Sequence, residues 1–239
     1  MGRDPGVTIQ ARIVPPASRP VTAPADATVP TGAAVRGARA VLLAHDGPEY
    51  ERIAGLSQRF AHYHVVLLSP GSRSEWYSAN PAYAAALVHD VLPALPPGPV
   101  VGLGASLGGL ALLHAETIYP GRFAGLFLQS GSFFTAELDP QEAGFPWFRR
   151  ITAFVQTVRP VAARVVLTCG RDEENLLNNR AMASRLGAPL LELPGGHSMV
   201  TWRDALDPHL HRLLQEVTDD RDETKRDGAG THGAAAAQS

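Results

Sequence analysis

"GLGASLGGLAL" (residues 102–112) sets four glycines around a lone serine, Ser106, between an apolar run and a Leu- and Ala-rich segment. A solvent-exposed turn does not need small residues on both sides of a serine. A phosphate-binding loop orders its glycines differently and carries a lysine beside them. Gly104-Ala105-Ser106-Leu107-Gly108 does fit G-x-S-x-G, with "PVVGLGA" (99–105) reading as a strand before it and "LGGLALLHAETIYP" (107–120) as a helix after it. In that setting a sharp strand-to-helix turn lifts the serine hydroxyl above the sheet. Small residues two before and two after the serine relieve the collision of strand and helix, and Gly109 allows closer packing still. The helix N-terminus also offers N–H groups and a positive dipole end to a developing oxyanion.

Outward from this turn the chain alternates. Apolar runs at 38–45, 63–69, 99–105, 123–133, 163–170 and 189–196 read as strands, and segments at 49–61, 81–95, 107–120, 147–158, 174–187 and 201–217 as helices. Strands that are apolar throughout and alternate with helices predict a mostly parallel sheet covered by helices on both faces. Sites in such sheets collect beyond the carboxyl ends of the strands. Asp46, Ser106, Glu173 and His197 all fall at that edge.

The expected organisation is a lead-in over 1–35, a catalytic domain over 36–217 with a small cap at about 135–160, and a disordered tail over 218–239. "VTIQARIV" (7–14) is β-branched and can form one strand of the lead-in, whereas 15–34 is rich in Pro, Ala and Thr. The tail is charged, then low in complexity, and offers no apolar face.

Composition removes several function classes. With 21 Lys+Arg against 23 Asp+Glu the net charge is −2, which gives no electrostatic case for nucleic acid or an acidic membrane. No apolar run is long enough to span a bilayer. The N-terminus lacks a signal-peptide core, and Gly6 occupies the position where a myristoylation signal wants Ser or Thr, so a cytoplasmic location is expected. The single cysteine, Cys169, excludes an intramolecular disulfide framework and a multi-cysteine zinc site. No metal and no cofactor are expected, since His45-Asp46 is a pair without further ligands at metal spacing.

A nucleophilic serine needs a base, and the base needs an orienting carboxylate, on this sheet in the order Ser, acid, His. Of nine histidines, seven read as packing or surface residues and His45 pairs with Asp46 in a loop, but His197 follows Pro194-Gly195-Gly196 at the end of the last strand. "CGRDEENLLNN" (169–179) supplies Asp172, Glu173 and Glu174 together, and spacing alone does not choose among them. The loop at Asp46 and Gly47 follows a strand expected beside that of Ser106 and is placed to give a second oxyanion N–H. Phe145, Trp147 and Phe148 in the cap either wall the pocket or pack the cap down.

With those residues located, the chain resembles the enterochelin-esterase and esterase D-like group of α/β-hydrolases over about 40–214. The marks are "LLAHDGPEY" (42–50), "RSEWYSANPAYAAALVHDVLP" (73–93), "GASLGGLAL" (104–112), "YPGRFAGLFLQSGSFF" (119–134), "CGRDEENLLNNRAMASRL" (169–186) and "GGHSMVTWRDAL" (195–206). The resemblance implies the α/β-hydrolase fold and a serine esterase acting on a small-molecule ester through an acyl-enzyme. It selects Glu173, three residues after Gly170, as the acid, and Leu107 with the loop at 45–48 as oxyanion donors. Arg73 matches an arginine that holds a loop or touches substrate. Ser198 departs from the Asp that often follows the catalytic histidine, and the preceding segment is shorter than the N-terminal domain common in enterochelin esterases. The group also includes acyltransferases, so acyl transfer to another alcohol is the second reading. A catalytically silent binding protein is the third, and the complete Ser/acid/His set argues against it. Whether copies associate is left open.

Overall fold

Six apolar runs lie side by side in parallel, and a seventh strand joins at one edge in the opposite direction. A computed structural model describes residues 7–16 and 39–230, without the side chains of 221–230. The strands are β1 (Ala11–Val14), β2 (Val41–Ala44), β3 (His64–Leu68), β4 (Val100–Ala105), β5 (Gly125–Gln129), β6 (Arg164–Gly170) and β7 (Leu190–Leu193). Their order is β1-β3-β2-β4-β5-β6-β7, with only β1 antiparallel, paired Ala11 to Leu68 and Val14 to Val65. The expected lead-in strand is therefore present over its second half. The rest of the lead-in, 1–6 and 17–35, lies outside the described residues.

Successive residues of a strand face opposite layers, and both layers here are apolar. Val41, Leu43, Leu126 and Leu128 enter one core with the helices α4 (Pro81–Ala86), α5 (Leu107–Ile118), α6 (Phe148–Thr157) and α7 (Leu176–Leu186). Leu42, Ala44, Leu103 and Phe127 enter the other with α1 (Gly47–Ala54), α2 (Leu56–Arg59), α8 (Met199–Asp204) and α9 (His209–Gly230). A one-turn helix, α3 (Arg73–Trp76), connects β3 towards α4. From β2 the chain steps to β3 on one side, then crosses to β4 on the other. The order reverses between β2 and β4, so the loops after these two strands flank the crevice where such sheets bind ligands. Those loops carry His45-Asp46 and Ser106.

Several expected boundaries shift. The helix expected over 49–61 is divided by Gly55, which sits at φ 56°. That expected over 201–217 is two helices, interrupted at 205–208. β5 stops at Gln129 rather than at 133, because Ser130 takes φ 45° and leaves the sheet. The tail is corrected most: α9 continues to Gly230 instead of ending at Val217. The apolar face does end at Val217, but Asp, Glu, Lys and Arg sustain a helix once a packed one precedes them. Arg164 reaches across from β6 to Asp220 at 2.8 Å. Residues 231–239 lie outside the described residues. Among the described residues no helix is long and apolar enough to cross a membrane.

The crossing of β4 with α5 is tight enough to demand glycine. A Cβ on Gly104 would lie 2.6 Å from the backbone carbon and oxygen of Gly108, where no side chain can swing away. Gly104→Ala is therefore expected to destabilise the domain by about 3 kcal/mol, the upper end for forced overpacking. Urea unfolding measures this directly, and a loss below about 1 kcal/mol would mean that α5 rides up without cost.

Candidate active site

Ser106 joins β4 to α5 at φ 54° and ψ −123°, a backbone conformation that a serine adopts only under strain. The neighbouring strand and loop hold it there. The N–H of Ser106 donates to Gln129 O at 2.9 Å, and its carbonyl accepts from Leu110 N and Ser132 N. No side chain caps α5, so the first N–H groups of the helix, beginning at Leu107, have no acceptor within it. Leu107 and Ser106 both line a pocket of about 450 Å³.

His197 lines the same pocket from the loop after β7. Its Nδ1 lies 2.9 Å from Glu173 Oε2. A carboxylate only accepts, so Nδ1 carries a proton, and in the neutral ring the lone pair is on Nε2. Of the three neighbouring acids, Glu173 alone meets the histidine; Asp172 and Glu174 stand exposed on the pocket rim. Glu173 is fixed on its other oxygen as well, where Oε1 accepts from Ser130 Oγ at 2.7 Å and Gly170 N at 2.8 Å. Burial would raise its pKa, but the bonds from His197, Ser130 and Gly170 outweigh that and hold the carboxyl below its usual range. Trp202 completes the support. Its indole N–H donates to Ser130 Oγ at 2.9 Å, and its ring meets the imidazole of His197 edge-on at 4.9 Å.

The hydroxyl of Ser106 lies 3.1 Å from Ser132 Oγ, a buried group that the strand reading of 123–133 had hidden. Ser130, Ser132 and Phe134 all come from "QSGSFF" (129–134), a loop and not a strand end. Two serines around a glycine, Ser130-Gly131-Ser132, do not suit a buried strand interior.

The loop after β2 adjoins the Ser106 turn from the other side. A Cβ on Gly108 would touch His45 Cβ and Asp46 Oδ2, so the two turns are in van der Waals contact. His45 Nδ1 is 2.9 Å from Gly108 O, and Nε2 is 2.9 Å from the Tyr83 hydroxyl. The carbonyl can only accept, so Nδ1 donates to it and Nε2 accepts from Tyr83. Both ring nitrogens are thus occupied. Gly47 is buried at the start of α1, and the Asp46 carboxylate is gripped by Arg73, Nε at 2.9 Å from Oδ1 and Nη2 at 2.9 Å from Oδ2. Arg73 and Asp46 line a separate hollow with Pro70 and Met199, not the Ser106 pocket. Arg73 therefore braces the loop at Asp46, one of the two roles that the resemblance leaves open for it. Among the described residues no group of three His, Cys, Asp or Glu is placed to bind a metal.

The cap aromatics divide. Phe145 lines the pocket together with Phe134. Phe148 is buried in the core against Phe134, at 6.2 Å between centroids, and Trp147 stacks under the Arg150 guanidinium at 4.3 Å. Phe148 packs the cap down at the start of α6, whereas Trp147, half-buried, stacks on Arg150 of that same helix.

Burial drives the His45 imidazole down to a pKa of about 4, against an ordinary 6.5, so it stays neutral in the fold. The unfolded chain binds that proton first, between pH 6.5 and about 4. Stability should therefore fall as pH drops through this window and level off below it, by up to about 3 kcal/mol from His45. His114, also pushed down to about 4 by burial, adds in the same direction. Urea midpoints measured from pH 7 to pH 4 test this, and a flat profile would contradict the burial of both rings.

No protein-family model matches the chain, and no curated protein sequence matches it. Solved structures do. The ferric enterobactin esterase of Salmonella typhimurium superposes with a TM-score of 0.59 at 25% identity, over 79% of this chain and 54% of that one. The enterochelin esterase of Shigella flexneri gives 0.60 at 22% identity, over 87% and 55%. FphF, a fluorophosphonate-binding serine hydrolase of Staphylococcus aureus, gives 0.59 at 15% identity, over 89% and 96%. The chain spans about half the length of the enterobactin esterases it matches. By fold the chain is an α/β-hydrolase, and the structures it resembles are those of the enterochelin esterase and esterase D-like group.

Proposed function

We propose that the chain is a serine ester hydrolase that works through an acyl-enzyme on Ser106, with His197 as base and Glu173 as its orienting acid. The observation that carries this reading is the 2.9 Å bond from His197 to Glu173, in the same pocket as a serine on a strained strand-to-helix turn. For attack, the Ser106 hydroxyl turns from Ser132 to Nε2 of His197, a tightening expected when substrate arrives. Oγ then adds to the ester carbonyl while Nε2 takes its proton, and the imidazolium that forms is stabilised by Glu173. The carbonyl oxygen gains its charge at the N-terminus of α5, where Leu107 N–H is the first donor, with the loop at Asp46-Gly47 alongside. Collapse breaks the bond to the alcohol, which leaves with the proton from Nε2. Water then repeats the sequence on the acyl-enzyme and frees the acid. An alcohol in place of water would make the same site an acyltransferase.

The test is a fluorophosphonate probe combined with p-nitrophenyl esters of increasing acyl length. The expected result is one covalent adduct mapping to the Ser106 peptide, with hydrolysis blocked in step. A protein that neither reacts with the probe nor turns over any ester is not a hydrolase. Adding an alcohol acceptor separates transfer from hydrolysis by the product formed.

A further inference from the structure

Among the described residues, the pocket beside Ser106 is lined by charge of one sign: Glu142 from the cap and Asp172 and Glu174 from the loop after β6, and no Lys or Arg. None of the three carboxylates makes a hydrogen bond or ion pair through its side chain, unlike Asp46, Glu49, Glu51 and Glu192, which are all engaged. They come from two separate segments that line the same pocket as Ser106, and Phe134 and Phe145 line it as well. Carboxylates without counterions, set with aromatic rings in a recess, are the combination that attracts an ammonium group and repels an anion.

Resting on the esterase reading of this same pocket, we propose that its substrates are esters bearing a positively charged ammonium group. The cation sits among Glu142, Asp172 and Glu174 while the ester carbonyl reaches Ser106. Esters carrying a carboxylate are turned away. The three acids are wholly or partly exposed, so each contributes a modest, salt-screened attraction, and the sum sets a preference of about tenfold over a neutral isostere.

The experiment compares kcat/KM for matched esters in two arms, which locate the charge. With the ammonium on the alcohol, butyrylcholine is set against 3,3-dimethylbutyl butyrate. With it on the acyl group, the p-nitrophenyl ester of 4-(trimethylammonio)butyrate is set against that of 5,5-dimethylhexanoate, and the hemiglutarate supplies the anion. One arm at least should favour the cation by about tenfold in low salt. That ratio should shrink in 0.5 M NaCl, and the hemiglutarate should be the poorest substrate. In Glu142→Gln/Asp172→Asn/Glu174→Gln the cation-to-neutral ratio should fall to about one. Taking the ratio cancels any general loss of activity, and the salt dependence of the unaltered protein stands whether or not the triple variant folds. Ratios near one in both arms, or a preference indifferent to salt, overturn the proposal while neutral-ester turnover leaves the esterase reading intact. Failure of every ester and of the probe overturns both.

Discussion

Ser106→Ala should lower kcat for ester hydrolysis by about 10⁴–10⁶-fold, the scale for removing a triad nucleophile. The fold should survive, because the substitution leaves the backbone at φ 54° as it was and removes one hydroxyl. The cost in stability is that of leaving Ser132 Oγ without its partner, about 1–2 kcal/mol. Ser132→Ala is the informative control. Its hydroxyl is buried and lies on no strand-to-helix turn, so it should stay within about tenfold of the unaltered protein, a much smaller step on the same scale. Circular dichroism and steady-state kinetics on both variants decide the matter. Retention of a tenth of the turnover in Ser106→Ala, or loss of activity in Ser132→Ala instead, would take Ser106 out of the mechanism.

What the residues disclosed in advance follows from how local each constraint is. The turn at Ser106 is written in the glycines at 104 and 108, because the collision they relieve is between neighbouring atoms of the same chain segment. His197 was legible for a similar reason, since Pro194-Gly195-Gly196 ends a strand abruptly and leaves the histidine at the sheet edge. The alternation of strands and helices gave the layered sheet, because runs buried on both faces must be apolar throughout.

Contacts between distant segments left weaker traces. Ser130, Ser132 and Trp202 meet Glu173 and Ser106 from distant segments; the small residues at 130–132 hint at a loop, and nothing in the neighbourhood of Trp202 marks it out. Trp147 and Phe148 belong to a segment whose aromatics suit a pocket wall and a packed cap equally well, and the direction in which α6 sets out decides between these. The grip of Arg73 on Asp46 joins the start of α3 to a loop 27 positions away, a contact that the sequence leaves open between loop support and substrate contact. The extension of α9 past Val217 leaves no apolar pattern in the sequence, because a helix nucleated by packing propagates on propensity alone.

The choice of acid is the sharpest case, since Asp172, Glu173 and Glu174 are adjacent and chemically alike. Glu173→Gln should lower kcat by about 10⁴-fold, with substrate binding largely preserved. The reason lies in the two bonds on the far oxygen. Ser130 Oγ and Gly170 N both donate to Oε1, so in the amide the carbonyl oxygen is drawn to that position. The amide nitrogen then faces Nδ1 of His197 across the 2.9 Å gap and donates to it. Nδ1 must give up its proton, Nε2 must carry one, and the nitrogen that should accept from Ser106 is blocked. Geometry is kept and the tautomer is wrong. Asp172→Asn and Glu174→Gln touch neither bond and should remain within about tenfold on a neutral ester. Ser130→Ala should fall between, because it removes one of the two donors that orient the amide and the carboxylate alike. Kinetics of the four variants against one neutral ester rank them. A dead Asp172→Asn beside a nearly normal Glu173→Gln would mean that the loop after β6 closes one residue earlier when the enzyme works, and that the contact to Glu173 is not the one that matters.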